Sequence, residues 1–167
     1  MISRRRSRFA IVTAALVAGD LASKAWAGRA LGDGPIVLPG PLDLQLDYND
    51  GIAFGFFDRL PAVALIAASL LIAALLVRAW DAGHAPAVPT SMIVAGAVGN
   101  GIDRLESGSV VDMLHLGWWP TFNVADVYIT TGVALWIVLA IWPTTPGSRV
   151  HEDRSTGTDL FDRSTAP

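Results

Sequence analysis

From Leu60 to Val77 the chain runs eighteen residues without a charge, and from Val127 to Pro143 it again carries none. At 1.5 Å per residue such runs approach the roughly 20 residues that cross a hydrocarbon core. A segment in lipid has to satisfy its own backbone, so these runs are predicted helices. Phe9 to Ala27 and Pro86 to Arg104 are weaker stretches of the same kind. The first is interrupted by Asp20 and Lys24. The second is rich in Ala, Gly and Ser, which suits close helix packing more than lipid contact. With 52% hydrophobic and 16% charged residues in 167, the chain is too apolar for an ordinary soluble domain. The expected fold class is therefore an α-helical membrane protein with transmembrane helices at about 9–27, 60–78, 86–104 and 124–142. They form one domain over 1–143, with extramembrane segments at 28–59 and 105–123. Residues 144–167 are Ser, Thr, Pro and mixed charge and read as a disordered cytoplasmic tail.

Arginines set the orientation. Arg4, Arg5, Arg6, Arg8, Arg78, Arg149, Arg154 and Arg163 fall on one side of this topology, and Lys24, Arg29, Arg59 and Arg104 on or near the other. Positive charge gathers on the cytoplasmic side, which places both termini inside and the 28–59 and 105–123 segments outside. The alternative for the N-terminus is a cleaved signal peptide ending at Ala25-Trp26-Ala27. Asp20 and Lys24 oppose it by interrupting the apolar stretch.

Between Pro39-Gly40-Pro41 and Asp50-Gly51, Leu42, Leu44, Leu46 and Tyr48 alternate with Asp43, Gln45, Asp47 and Asn49. Period-2 alternation predicts a strand. Its leucines and Tyr48 are expected toward the bilayer or a substrate groove, and Asp43, Gln45 and Asp47 toward water.

Ionisable residues in or beside apolar spans are functional candidates because they are expensive to keep there. Asp112 lies inside the apolar run Val110 to Leu116, and Asp126 at the mouth of the last span. Two carboxylates brought together could share a proton and activate a water. Asn123 and Asp126 also read as a helix cap, Asn at the N-cap with an acid three residues on. That reading leaves Asp112 unexplained. Asp20 and Lys24 stand four apart and can pair on one helix face. Asn100, Asp103 and Arg104, in GNGIDR, form a second self-neutralised cluster with a structural or a supporting role. Trp118 and Trp119 read as interfacial anchors.

These motifs, GDLASK, NDGIAFG, GNGIDR, VVD and FNVAD in that order over residues 20–126, resemble lipoprotein signal peptidase (signal peptidase II). The resemblance implies an aspartic endopeptidase of the bacterial cytoplasmic (inner) membrane, with four transmembrane helices and a small extracytoplasmic β-cradle. Its expected substrates are prolipoproteins whose lipobox cysteine carries a diacylglyceryl group, cut on the N-terminal side of that cysteine at the outer face. Asp112 and Asp126 match the catalytic pair. Asp20, Lys24, Asn49, Asn100, Asp103, Arg104 and Asn123 match the supporting polar residues. No metal, cofactor or thiol is implied, and the expected working form is a monomer in contact with membrane lipid. Ile52 and Val127 depart from the family pattern and bear on substrate preference.

Composition and motif argue against the competitors. The chain has no cysteine, and His84, His115 and His151 sit in no zinc-ligand frame. A net charge of −3 argues against a nucleic-acid partner. GxSxG is absent. GNGID is one residue from the GxGD of presenilin-like proteases, but both acids of the candidate dyad lie near helix ends. An ion-coupled transporter predicts acids in mid-span and an internal repeat, and the acids here gather at one face.

Overall fold

The computed structural model describes residues 3–51 and 62–142. Ile52, Arg59 and the 144–167 tail lie outside the described residues. Four helices and three strands succeed one another in the order α1 (Arg4–Ala30), β1 (Asp43–Asn49), α2 (Ala62–Asp81), α3 (Ala87–Ser107), β2 (Val110–Leu116), β3 (Trp119–Phe122) and α4 (Val124–Ile141).

Three helices, α1, α2 from Val63 and α4, are long and apolar enough to cross a membrane. Their apolar residues point outward: Ile11, Leu71, Leu75, Ile137 and Ile141 are exposed, whereas Asp20 and Lys24 are buried. That is the reverse of a soluble fold and suits a hydrocarbon surround. α3 differs because it is the central helix, packed against α1, α2 and α4. Pro89, Thr90, Ser91, Gly96, Gly99 and Asn100 are among its buried residues. Small side chains there let the neighbours approach: a Cβ on Gly96 would stand 2.5 Å from the Ala125 carbonyl oxygen.

α1 begins at Arg4, ahead of the apolar stretch, because Ser3 caps it by accepting the Arg6 backbone N–H. Arginines in a first turn oppose the helix dipole. The C-terminal end of α2 compensates. Arg5 donates to the Trp80 carbonyl at 2.6 Å and lies over the Trp80 ring, Arg6 pairs with Asp81 at 2.7 Å, and Phe9 stacks on Trp80 with centroids 3.9 Å apart.

At the other end of the bundle the strands form an antiparallel sheet of order β1-β2-β3. Gly108, at φ 84°, ends α3 in the left-handed region and turns the chain directly into β2. Ala27 of α1 and Leu31, which caps its C-terminal end, pack with Met113, and Leu44, Leu46, Val111 and Leu114 close over them. The sheet is thereby seated on the end of α1.

The alternation expected of the first strand holds only in part. Gln45 and Asp47 are exposed, while Leu44 and Leu46 turn into the protein core rather than toward lipid. Asp43 is half-buried and accepts the Leu38 backbone N–H. Leu44 pairs with Leu114 but Asp47 pairs with Asp112, so β1 holds one extra residue between them. The extra residue reverses the parity of the rest of the strand. Asn49 now pairs with Val110, on the face of β2 that carries Asp112, and Tyr48 pairs with Val111 on the other face, 57% exposed.

Candidate active site

The site is assembled around the start of α4. The Asn123 side chain caps the helix by accepting the Asp126 backbone N–H at 3.0 Å, and Asp126 Oδ2 accepts the Asn123 backbone N–H at 3.2 Å. This is the reciprocal cap expected from the sequence. The same asparagine does more. With Oδ1 occupied by the cap, its Nδ2 donates to Asp112 Oδ1 at 2.6 Å. One fully buried residue thus ties the acid of β2 to the acid of α4.

Asn49 reaches Asp112 from β1. Its Nδ2 donates to Asp112 Oδ2 at 3.2 Å, and its Oδ1 accepts the Gly51 backbone N–H at 3.0 Å. Arg104 of α3 holds the same turn, donating from Nη2 to the Gly51 carbonyl at 2.6 Å and from Nη1 to the Asn100 carbonyl at 3.4 Å. Asn100 Nδ2 donates to Asp126 Oδ1 at 3.0 Å. All four carboxylate oxygens of Asp112 and Asp126 accept an N–H.

Beneath this layer lies Lys24. Its Nζ donates to Asn100 Oδ1 at 2.8 Å and sits 2.8 Å from Asp20 Oδ2 and 2.9 Å from Asp103 Oδ2. The two carboxylates have tasks of their own. Asp20 Oδ1 accepts the Ala125 backbone N–H at 2.8 Å, one of the unpaired donors of the first turn of α4. Asp103 Oδ2 accepts the Val111 backbone N–H at 3.1 Å, fixing β2 to α3. A Cβ at Gly99 would fall on the Asp20 carboxylate, so α1 and α3 can approach only over a glycine.

Four acids (Asp20, Asp103, Asp112, Asp126) and two cations (Lys24, Arg104) make up this cluster. With every acid ionised it would carry an excess of two negative charges, which a site shielded from water holds poorly. Asp112 is 2% exposed. Burial pushes its carboxyl up to about 6 from the ordinary 3.8, and the charge of Asp126 adds to the rise; donors from Asn123 and Asn49, with the charge of Lys24, oppose it. Asp126 is half-buried at a helix N-terminus, where backbone dipoles favour negative charge.

All nine residues singled out from the sequence (Asp20, Lys24, Asn49, Asn100, Asp103, Arg104, Asp112, Asn123 and Asp126) meet in one network. Sequence reasoning missed Gly51, whose carbonyl and N–H both serve it, and Gly99. The turn dipeptide Asp50-Gly51 and the glycines flanking Asn100 were the available signals. Trp118 and Trp119 pack edge to face with centroids 5.3 Å apart. Among the described residues no group of three or more His, Asp or Glu is arranged to hold a metal ion.

A family model described as "Signal peptidase (SPase) II" matches residues 12–142. The lipoprotein signal peptidase of Geobacter metallireducens is 41% identical over 140 residues, covering 76% of this chain and 86% of its own. That of Syntrophomonas wolfei is 38% identical over 126 residues, covering 73% and 85%. A solved structure described as a bacterial membrane enzyme superposes with a TM-score of 0.72 at 26% identity, covering 81% of this chain and 88% of that one.

Proposed function

The chain belongs to the signal peptidase II family, and on that premise we propose that it is an aspartic endopeptidase that cuts diacylglyceryl-modified prolipoproteins on the N-terminal side of the lipidated cysteine. The observation that carries this reading is the Asn123 link between Asp112 and Asp126, which puts two carboxylates of unlike surroundings at one site.

In the proposed reaction Asp126 is ionised and Asp112 protonated. Asp126 takes a proton from a water that attacks the scissile carbonyl, while the Asp112 hydroxyl donates to the carbonyl oxygen and stabilises its developing charge. The proton held by Asp126 then passes to the leaving nitrogen. The C–N bond breaks to give a signal peptide with a new carboxylate and a lipidated cysteine with a new amine. Burial of Asp112 beside the charge of Asp126 supports this division, in which one proton belongs to the pair.

The same reading makes α3 the fourth transmembrane helix, screened from lipid by its neighbours, within a domain spanning 1–143. Both termini then lie in the cytoplasm, the sheet and the dyad lie at the outer face of a bacterial inner membrane, and the 144–167 tail is cytoplasmic. Arginines at the start of α1 and the end of α2 meet at the end opposite the dyad, which supports that orientation. The working form in this reading is a monomer, and the outward apolar faces support contact with lipid.

Asp112→Asn and Asp126→Asn test the proposal, because an amide fills the same volume but cannot take or share the proton. Each is expected to lower cleavage of a lipidated precursor more than about 100-fold, with the double variant little worse than either. If Asp126→Asn retains a tenth of wild-type cleavage, Asp126 is a cap only and the two-aspartate reaction is wrong.

A further inference from the structure

An ammonium carries three donors and no acceptor, whereas an asparagine amide carries both on one planar group. Whichever end Asn100 turns to Lys24, it turns the other to Asp126. Lys24 is buried, and its Nζ meets Asn100 Oδ1 at 2.8 Å, so Nδ2 faces Asp126 Oδ1 at 3.0 Å. A flipped amide would set an NH2 group against an ammonium and a carbonyl oxygen against a carboxylate, two repulsions in place of two attractions. Asn123 and Asn49 are held the same way up, but by the backbone N–H groups of Asp126 and Gly51. Asn100 is the one of the three whose orientation is set by a side chain, and that side chain belongs to another helix.

We propose that Lys24 is a positioning residue for the reaction: by fixing the amide of Asn100 it presents a donor to Asp126 and keeps Asp126 the carboxylate that receives the proton of water. The inference rests on the two-aspartate reading above. A packing role for the Lys24–Asp20 pair accounts for the contact within α1. The buried ammonium needs a third acceptor beside Asp20 and Asp103, and Asn100 Oδ1 supplies it; the consequence for the site is that the NH2 end of the same amide is committed to Asp126. The charged groups around Asp126 are Asp20 and Lys24 from α1, Asp103 and Arg104 from α3, and Asp112 from β2. Lys24 reaches Asp126 through Asn100.

The test uses the full-length protein in detergent micelles with a diacylglyceryl-modified peptide substrate. kcat/KM is measured against pH for wild type, Lys24→Gln, Lys24→Arg and Asn100→Asp. A glutamine at 24 can face Asn100 with either end, so the amide is released. The acidic limb of the profile is expected to move to higher pH by about 1–2 units, as one hydrogen bond to a charged group is lost. Lys24→Arg keeps a pure donor and is expected to hold the limb in place even where the rate falls. Asn100→Asp keeps its contact with Lys24 but turns an acceptor to Asp126, and is expected to move the limb upward too. Uniformly lower rates with an unmoved limb in Lys24→Gln and Asn100→Asp would overturn the proposal and leave Lys24 a packing residue. If Lys24→Gln fails to fold, Asn100→Asp decides alone, an unmoved limb again overturning it. Failure of the dyad itself is visible separately, as cleavage that survives Asp126→Asn.

Discussion

Asp112 carries the clearest pH signature of any residue in the site. Its folded carboxyl sits at about 6, above the 3.8 of an unfolded chain. The folded state therefore binds the proton more tightly, so ionising Asp112 costs the fold stability as pH rises from about 4 to 6. Acidification through that window restores it. For catalysis the protonated form is the useful one, so kcat/KM is expected to fall as pH rises past about 6. Asn49→Ala removes a donor that favours the anion and should move this alkaline limb to higher pH, by less than a unit because Asn123 still donates. A limb that moves to lower pH would contradict the assignment of Asp112 as the acid. At this scale the sequence was highly legible, because charged and amide side chains stand out in apolar stretches. The orientation of each amide was not, since it depends on the group across the site, and neither was the part played by the Gly51 backbone.

Secondary structure was legible wherever period and composition agreed. The alternation from Leu42 to Tyr48 pointed to a strand, and β1 is one. It gave no sign of the extra residue between Leu44 and Asp47, because every residue there suits a strand equally well. That one residue decides that Asn49, rather than Tyr48, shares the face of Asp112. In α3 the small residues pointed to close packing, and Gly96 shows how close. A Cβ there would meet the Ala125 carbonyl oxygen at 2.5 Å and Ile129 Cγ1 at 2.6 Å. Gly96→Val should push α4 from α3 and cost about 1–3 kcal/mol. It should also lower cleavage, because α4 begins with Asn123 and Asp126. Gly101→Ala is the control. No described residue lies within 4 Å of a Cβ at that position, so thermal unfolding in detergent should stay put or rise slightly. Equal thermal shifts in the two variants would refute the packing argument.

Across the whole molecule, reporters read the proposed orientation. One fused after Gly34 or Leu116 should be extracytoplasmic and one fused after Trp80 cytoplasmic; a cytoplasmic signal at Leu116 would put the dyad on the wrong side. Trp80 tests the separation of the two ends. Buried against Phe9, it should cost about 3–5 kcal/mol when replaced by Ala, yet leave kcat of the folded fraction nearly unchanged. The exposed Arg6–Asp81 pair next to it should contribute under about 1 kcal/mol. The order in which a ribosome delivers the chain gives the Asp20–Lys24 pair one more task. Asp20 ends as a partner of the Ala125 N–H, 105 residues downstream, and Lys24 as a partner of Asn100, 76 residues downstream. Neither exists when the first helix leaves the ribosome. Until they are made, each residue has only the other, one turn away on the same helix. The pair is thus a temporary counter-ion, letting a helix with two charges in its apolar stretch wait in the membrane for the rest of its protein.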